Sequence, residues 1–143
     1  MPLNSYTVIS YSEEETALVA RKLASKLCLG DVILLRGDLG AGKSVFARAL
    51  IQALCGEETI VPSPTFTLVQ TYKASEFTLW HFDLYRLNSP EEVYELGIEE
   101  ALRRGVCLIE WPDRLGVHLP EVYREIELQY GSQPHERFIT IKE

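Results

Sequence analysis

Long apolar runs are missing from this chain of 143 residues. No stretch approaches the roughly 18 consecutive apolar residues of a membrane span, so no membrane-crossing helix is expected. The opening segment, MPLNSYTVIS, has no basic run ahead of an apolar core, so no signal peptide is expected. Cysteine is sparse. Cys28, Cys55 and Cys107 make an odd count without metal-type pair spacing. With no leader, they are expected to be free thiols in a reducing, cytoplasmic setting, three small buried hydrophobes. Positive charge is in deficit: 14 Lys and Arg against 21 Asp and Glu leave a net charge of −7. Tight nucleic-acid binding normally needs a basic face, so the bulk charge argues against it. Repeats, low-complexity tracts and linkers are absent as well. The chain is therefore expected to be one domain, residues 1–143.

What is there reads as alternating strands and helices. Tyr6 to Ser10 has strand character. Ser12 and Glu15 make an S-x-x-E capping box, and Ala17, Ala20, Leu23, Ala24 and Leu27 follow at helical spacing. A helix over residues 13–28 is expected. Val32-Ile33-Leu34-Leu35 is apolar without alternation, as in a strand buried on both faces of a parallel sheet. A second helical pattern runs from Val45 to Leu54. Residues 57–64 read as loop, and residues 65–72 and 77–82 as a hairpin. Ser89-Pro90-Glu91-Glu92 is a second capping box, opening a helix to about Gly97, with a short one to about Arg104. Val106 to Ile109 is another doubly buried strand. Residues after Trp111 read as loop through Pro120, and residues 125–130 and 137–142 as a last hairpin. The fold class is α/β: a single-domain mixed sheet flanked by helices.

The chemistry is concentrated in Gly37-Asp38-Leu39-Gly40-Ala41-Gly42-Lys43-Ser44, which satisfies G-x-x-x-x-G-K-[ST]. Its glycines let successive N–H groups curl inward around phosphate oxygens. The helix that starts there adds unpaired N–H groups and the positive end of its dipole. Lys43 brings a mobile charge to the β- and γ-phosphates, and Ser44 a hydroxyl to Mg2+. The motif also lies between a buried-strand pattern and a helical pattern, as this mechanism requires. A phosphate loop needs an acid for the metal, and two stand at strand ends: Glu110 after Val106 to Ile109, and Asp83 after Phe77 to Phe82. In the Pro62-Ser63-Pro64-Thr65-Phe66 loop, Thr65 is the natural sensor of a γ-phosphate, or else part of a rigid turn.

Four blocks then stand in order: the phosphate loop, Ser63-Pro64-Thr65-Phe66-Thr67, His81-Phe82-Asp83-Leu84-Tyr85-Arg86, and Ile109-Glu110-Trp111-Pro112. Together they resemble the bacterial TsaE (YjeE) ATPases of tRNA threonylcarbamoyladenosine synthesis, over nearly the whole chain. A bare phosphate loop is common to many families, whereas H-x-D-x-Y-R with I-E-W is far narrower. The resemblance implies that Lys43 and the loop amides, with Val45 just beyond, bind ATP. It implies that Ser44 and Glu110 hold Mg2+ and that Asp83 orients or activates water. It puts Trp111 near the nucleotide, Arg137 close by, and the Ser12 to Thr16 segment on the adenine side. His81, Tyr85 and Arg86 would serve the site or a partner surface, or merely pack a strand end. Trp80 and Phe82 would pack. One departure is Val45, where the family often has a second hydroxyl. The implied activity is ATP hydrolysis with TsaB and TsaD as protein partners, and with tRNA engaged only indirectly.

Rival readings are a nucleoside-type kinase, a GTPase and a nucleotide-binding module that does not hydrolyse. A kinase would need an arginine-bearing lid, and no such insertion is evident. A GTPase would need an N-K-x-D loop, but the only asparagines, Asn4 and Asn88, precede serines.

Overall fold

A computed structural model describes residues 4–143. Strand β1 (Ser5–Ser10) leads into helix α1 (Glu13–Ala24). The Ser12 side chain accepts from the Glu15 N–H at 3.1 Å, and Glu15 Oε1 accepts from the Tyr11 N–H at 2.8 Å. The expected cap is therefore present, with its return bond one residue early. Helix α1 stops at Ala24, short of the expected residue 28. Lys26 and Leu27 donate to carbonyls three residues back, and the Cys28 N–H is taken by Asp31 Oδ2 at 2.9 Å. Those bonds tighten the last turn and close it.

Strand β2 (Val32–Gly37) and helix α2 (Lys43–Cys55) bracket the glycine-rich loop. Strands β3 (Val69–Lys73) and β4 (Thr78–Asp83) form the expected hairpin, but β3 begins later than the composition suggests. Leu68 donates to the Pro64 carbonyl at 2.7 Å and has a left-handed backbone, φ 69°. Residues 65–68 are therefore a turn, despite their β-forming side chains. Pro90–Leu96 is a 3₁₀ helix, not an α-helix, and Ser89 makes no side-chain cap there. The Glu92 N–H bonds instead to the Ser89 carbonyl. Gly97, at φ 88°, then turns the chain into α3 (Ile98–Arg104). Strand β5 (Gly105–Glu110) follows. The expected loop after Trp111 contains a second 3₁₀ segment, Pro112–His118. Strands β6 (Arg124–Tyr130) and β7 (Arg137–Lys142) make the last hairpin.

The seven strands form one sheet in the order β1-β7-β6-β2-β5-β4-β3. Strands β4, β5, β2 and β6 are mutually parallel, and the outer pairings are antiparallel. Alternation across β2 explains its unbroken apolar run. Ile33 and Leu35 pack with α1 and α2 on one face, while Val32 and Leu34 pack with α3 and the 3₁₀ segments on the other. Phe82 is core, and Trp80 stacks near it at 6.1 Å, as expected. All three thiols are free, but Cys28 is exposed, which corrects its reading as a buried hydrophobe. It lies beyond the end of α1, where no layer covers it. Burial in β5 pushes the Cys107 thiol up to about 12. Among the described residues, no helix is long and apolar enough to cross a membrane.

This topology positions chemistry. The glycine-rich loop leaves the carboxyl end of β2, Asp83 ends β4 and Glu110 ends β5. In open α/β sheets, ligands bind beyond the carboxyl ends of parallel strands.

Candidate functional site

The loop from Gly37 to Ser44 curls because Gly40 and Gly42 adopt left-handed backbones, φ 81° and 105°. A Cβ on Gly40 would stand 2.6 Å from the Tyr130 hydroxyl and would push that side chain off the loop. That hairpin holds the loop by its carbonyls. The Tyr130 hydroxyl donates to the Leu39 carbonyl at 2.6 Å. Arg137 donates to the Gly40 carbonyl at 3.4 Å and to its own turn at Pro134 and Glu136.

Lys43 opens α2 and is only 6% exposed. Its Nζ lies 3.9 Å from the centre of the Trp111 ring, a cation–π contact. Burial pushes the Lys43 ammonium pKa down, while Glu110, Asp83 and Asp38 push it back up without cancelling the effect. Trp111 is held in a left-handed backbone, φ 58°, rare for so bulky a residue. That turn lays its ring over Lys43 and 4.9 Å from the Tyr85 ring.

Asp83 and Glu110 are direct neighbours across β4 and β5. Both are nearly buried. Asp83 Oδ1 accepts from the Tyr85 N–H at 3.0 Å, and Oδ2 accepts from Thr65 Oγ1 at 3.3 Å. Ser63 Oγ lies 2.7 Å from Thr65 Oγ1, so hydroxyls run in a chain from Ser63 through Thr65 to Asp83. Glu110 Oε2 lies 2.6 Å from His81 Nε2.

Lys43, Trp111, Ser63, Thr65, Asp83 and Glu110 face a cavity of about 310 Å³. Ser12, Leu39, Gly40, Gly42, Lys43, Ser44, Val45, Thr65, Asp83, Glu110, Trp111 and Arg137 all line it. Gly37 and Asp38 lie on an adjoining hollow that shares Lys43 and Trp111. Ala41, within the loop, is fully buried. Four lining residues were not singled out from sequence: Glu13, Thr16, Ser63 and His135. Ser63 stood in a quoted block, and Glu13 and Thr16 belong to the flagged N-terminal segment. His135 gave no signal, because it is an isolated histidine in a polar turn.

Among the described residues, no three His, Cys, Asp or Glu side chains gather into a metal cage. The oxygen donors that share the cavity with Lys43 include the Ser44 hydroxyl and the Glu110 and Asp83 carboxylates, of which Asp83 is already bonded through both oxygens. This sparse set suits Mg2+, which keeps several waters and shares phosphate oxygens rather than filling a protein cage.

Sheet and loop together define the class: an α/β protein with a P-loop NTPase-like fold. A family model described as threonylcarbamoyl adenosine biosynthesis protein TsaE matches residues 10–139, and the chain belongs to that family. The tRNA threonylcarbamoyladenosine biosynthesis protein TsaE of Rickettsia conorii is 54% identical over 118 residues, covering 82% of this chain and 67% of that protein. The Bacillus subtilis protein of the same description is 38% identical over 128 residues, 89% of this chain and 78% of its own. The crystal structure of Bacillus subtilis YdiB superposes with a TM-score of 0.79 at 29% identity, covering 99% of this chain and 87% of that one.

Proposed function

We propose that this protein is a single-domain, Mg2+-dependent ATPase. It acts in the cytoplasm, in tRNA threonylcarbamoyladenosine synthesis, with TsaB and TsaD as partners, and meets tRNA only through them. The observation that carries this reading is the convergence of Lys43, Ser44, Asp83 and Glu110 on one cavity at the carboxyl edge of the parallel strands.

The loop amides and Lys43 bind the phosphates, and Ser44 and Glu110 hold the cation. When bound, Mg2+ neutralises charge on the phosphate oxygens. In hydrolysis, water oxygen bonds to the γ-phosphorus, the bond to the β,γ-bridging oxygen breaks, and ADP and phosphate leave. Asp83 orients or deprotonates the water. The Thr65 hydroxyl donates to Asp83 Oδ2 at 3.3 Å. A Thr65 that turns to the γ-phosphate frees that oxygen, which couples nucleotide sensing to water activation.

Slow turnover alone follows from the arginines. Arg137 directs Nη1 and one Nη2 donor at carbonyls of the hairpin and of Gly40. Arg86 lies over the Phe66 ring at 4.6 Å. As held here, neither guanidinium is committed to the place where charge develops in the transition state, so a partner that redirects one of them or supplies another would speed the reaction. Steady-state phosphate release tests this, with TsaB and TsaD added singly and together. Weak release alone and clear stimulation by both is expected. One rate in all four mixtures would remove the partner role. The engagement of both Asp83 oxygens also suits a nucleotide-binding module without turnover. No release in any mixture would select that module.

A further inference from the structure

His81 is 2% exposed. So deep a side chain does not belong to a partner surface. It lies behind the cavity wall rather than on it. Its Nε2 stands 2.6 Å from Glu110 Oε2, while Nδ1 is buried without a hydrogen-bond partner. These two facts assign the tautomer. A proton on Nδ1 would be a buried N–H lacking an acceptor, which is costly. A neutral ring protonated at Nε2 leaves only a bare lone pair, and its N–H donates to the carboxylate.

Register explains the reach. Asp83 pairs with Glu110 and His81 with Leu108, so His81 is one step behind Asp83 on the same face of β4. From there it reaches Glu110 diagonally across the strand pair.

We infer that His81 is a positioning residue that sets Glu110 for a divalent cation. The inference rests on the ATPase reading above and adds a residue to it. A glutamate at a strand end has several free torsions. Holding Oε2 removes that freedom and leaves Oε1, which has no hydrogen-bond partner among the described residues, for the cavity that Glu110 lines. One buried N–H donor is enough to hold Oε2. The carboxylate beside it is held by other means, the Tyr85 N–H and the Thr65 hydroxyl.

The test is the Mg2+ dependence of AMP-PNP binding by the full chain, followed by titration calorimetry in EDTA and at stepped MgCl2. His81→Phe keeps a ring and removes the donor. His81→Gln restores a donor. For His81→Phe, affinity in EDTA should match wild type, while the Mg2+ concentration giving half the full effect rises by about 10- to 100-fold. His81→Gln should recover most of the loss. Nitrogen-15 spectra of ligand-free wild-type protein give a readout independent of nucleotide and of variant folding: a protonated Nε2 and a bare Nδ1. Unchanged Mg2+ dependence in His81→Phe overturns the inference. So does a proton on Nδ1, or an equal loss of affinity in EDTA and in Mg2+. Wild-type protein that binds no AMP-PNP in any condition overturns the ATPase reading, and the role of His81 with it.

Discussion

Lys43 is a buried cation held against the face of an aromatic ring. Its charge is stabilised by the Trp111 ring and by three acids acting through space, against the burial that lowers its pKa. Removing one acid therefore has two effects, loss of that acid's own chemistry and a further fall in the Lys43 pKa. The two carboxylates, side by side in the sheet, are separable by what they hold. Glu110→Gln should weaken the Mg2+ dependence of ATP binding. Asp83→Asn should leave ATP binding close to wild type and slow hydrolysis, because only the transition state loses its contact. Binding calorimetry beside single-turnover phosphate release reads both, and the reverse pattern would exchange the two roles. Lys43, Ser44, Asp83 and Glu110 were legible in the sequence, since a motif or a strand end marks each of them. The hold of Arg137 on the Gly40 carbonyl was not, because those residues are 97 positions apart.

Strands β2 and β6 are joined by a charge cluster as well as by their ladder. Arg36 donates through Nε to Glu125 Oε1 at 2.6 Å and also pairs with Asp113, while Lys142 reaches Glu125 Oε2 at 3.2 Å. Burial raises the Glu125 pKa, but the bonds from Arg36 and Lys142 outweigh it and leave the carboxyl below its ordinary value. A depressed carboxylate contributes stability above its unfolded pKa, and that contribution is lost as pH falls through the folded value. Arg36→Gln should therefore cost about 1 kcal/mol at neutral pH, with the deficit shrinking as the medium is acidified below the usual carboxylate range. Thermal melts of both proteins across that range check it, and a deficit that grows in acid would refute it. Elements with a clear period, such as α1, α2, β2 and β5, were legible in kind and place, although α1 ends at Ala24 rather than at residue 28. Residues 65–68 and 90–96 were not, because backbone bonds to Pro64 and Ser89 overrode side-chain propensity.

The two faces of the sheet divide the molecule's work. Helices α1 and α2 seal one face, with Phe46 and Leu50 fully buried on it, and α3 with the 3₁₀ segments seals the other. Leu50→Ala keeps helix propensity but leaves a cavity under α2, and should cost about 2–5 kcal/mol. Urea unfolding should show a lower midpoint with an unchanged slope. A cost under about 1 kcal/mol would mean that α2 is not held by this core. The sequence by itself determined the α/β class, the glycine-rich loop, the doubly buried strands and the acids that end them. Each of these rests on spacing within a few residues, where periodicity and backbone stereochemistry act directly. Only the tertiary structure decided that β4 lies beside β5, which brings Asp83 against Glu110 and aims His81 at the same carboxylate. It also decided that the last hairpin returns to clamp the loop through Tyr130 and Arg137. Strand order depends on burial and pairing between distant segments, and no local pattern encodes which strands become neighbours.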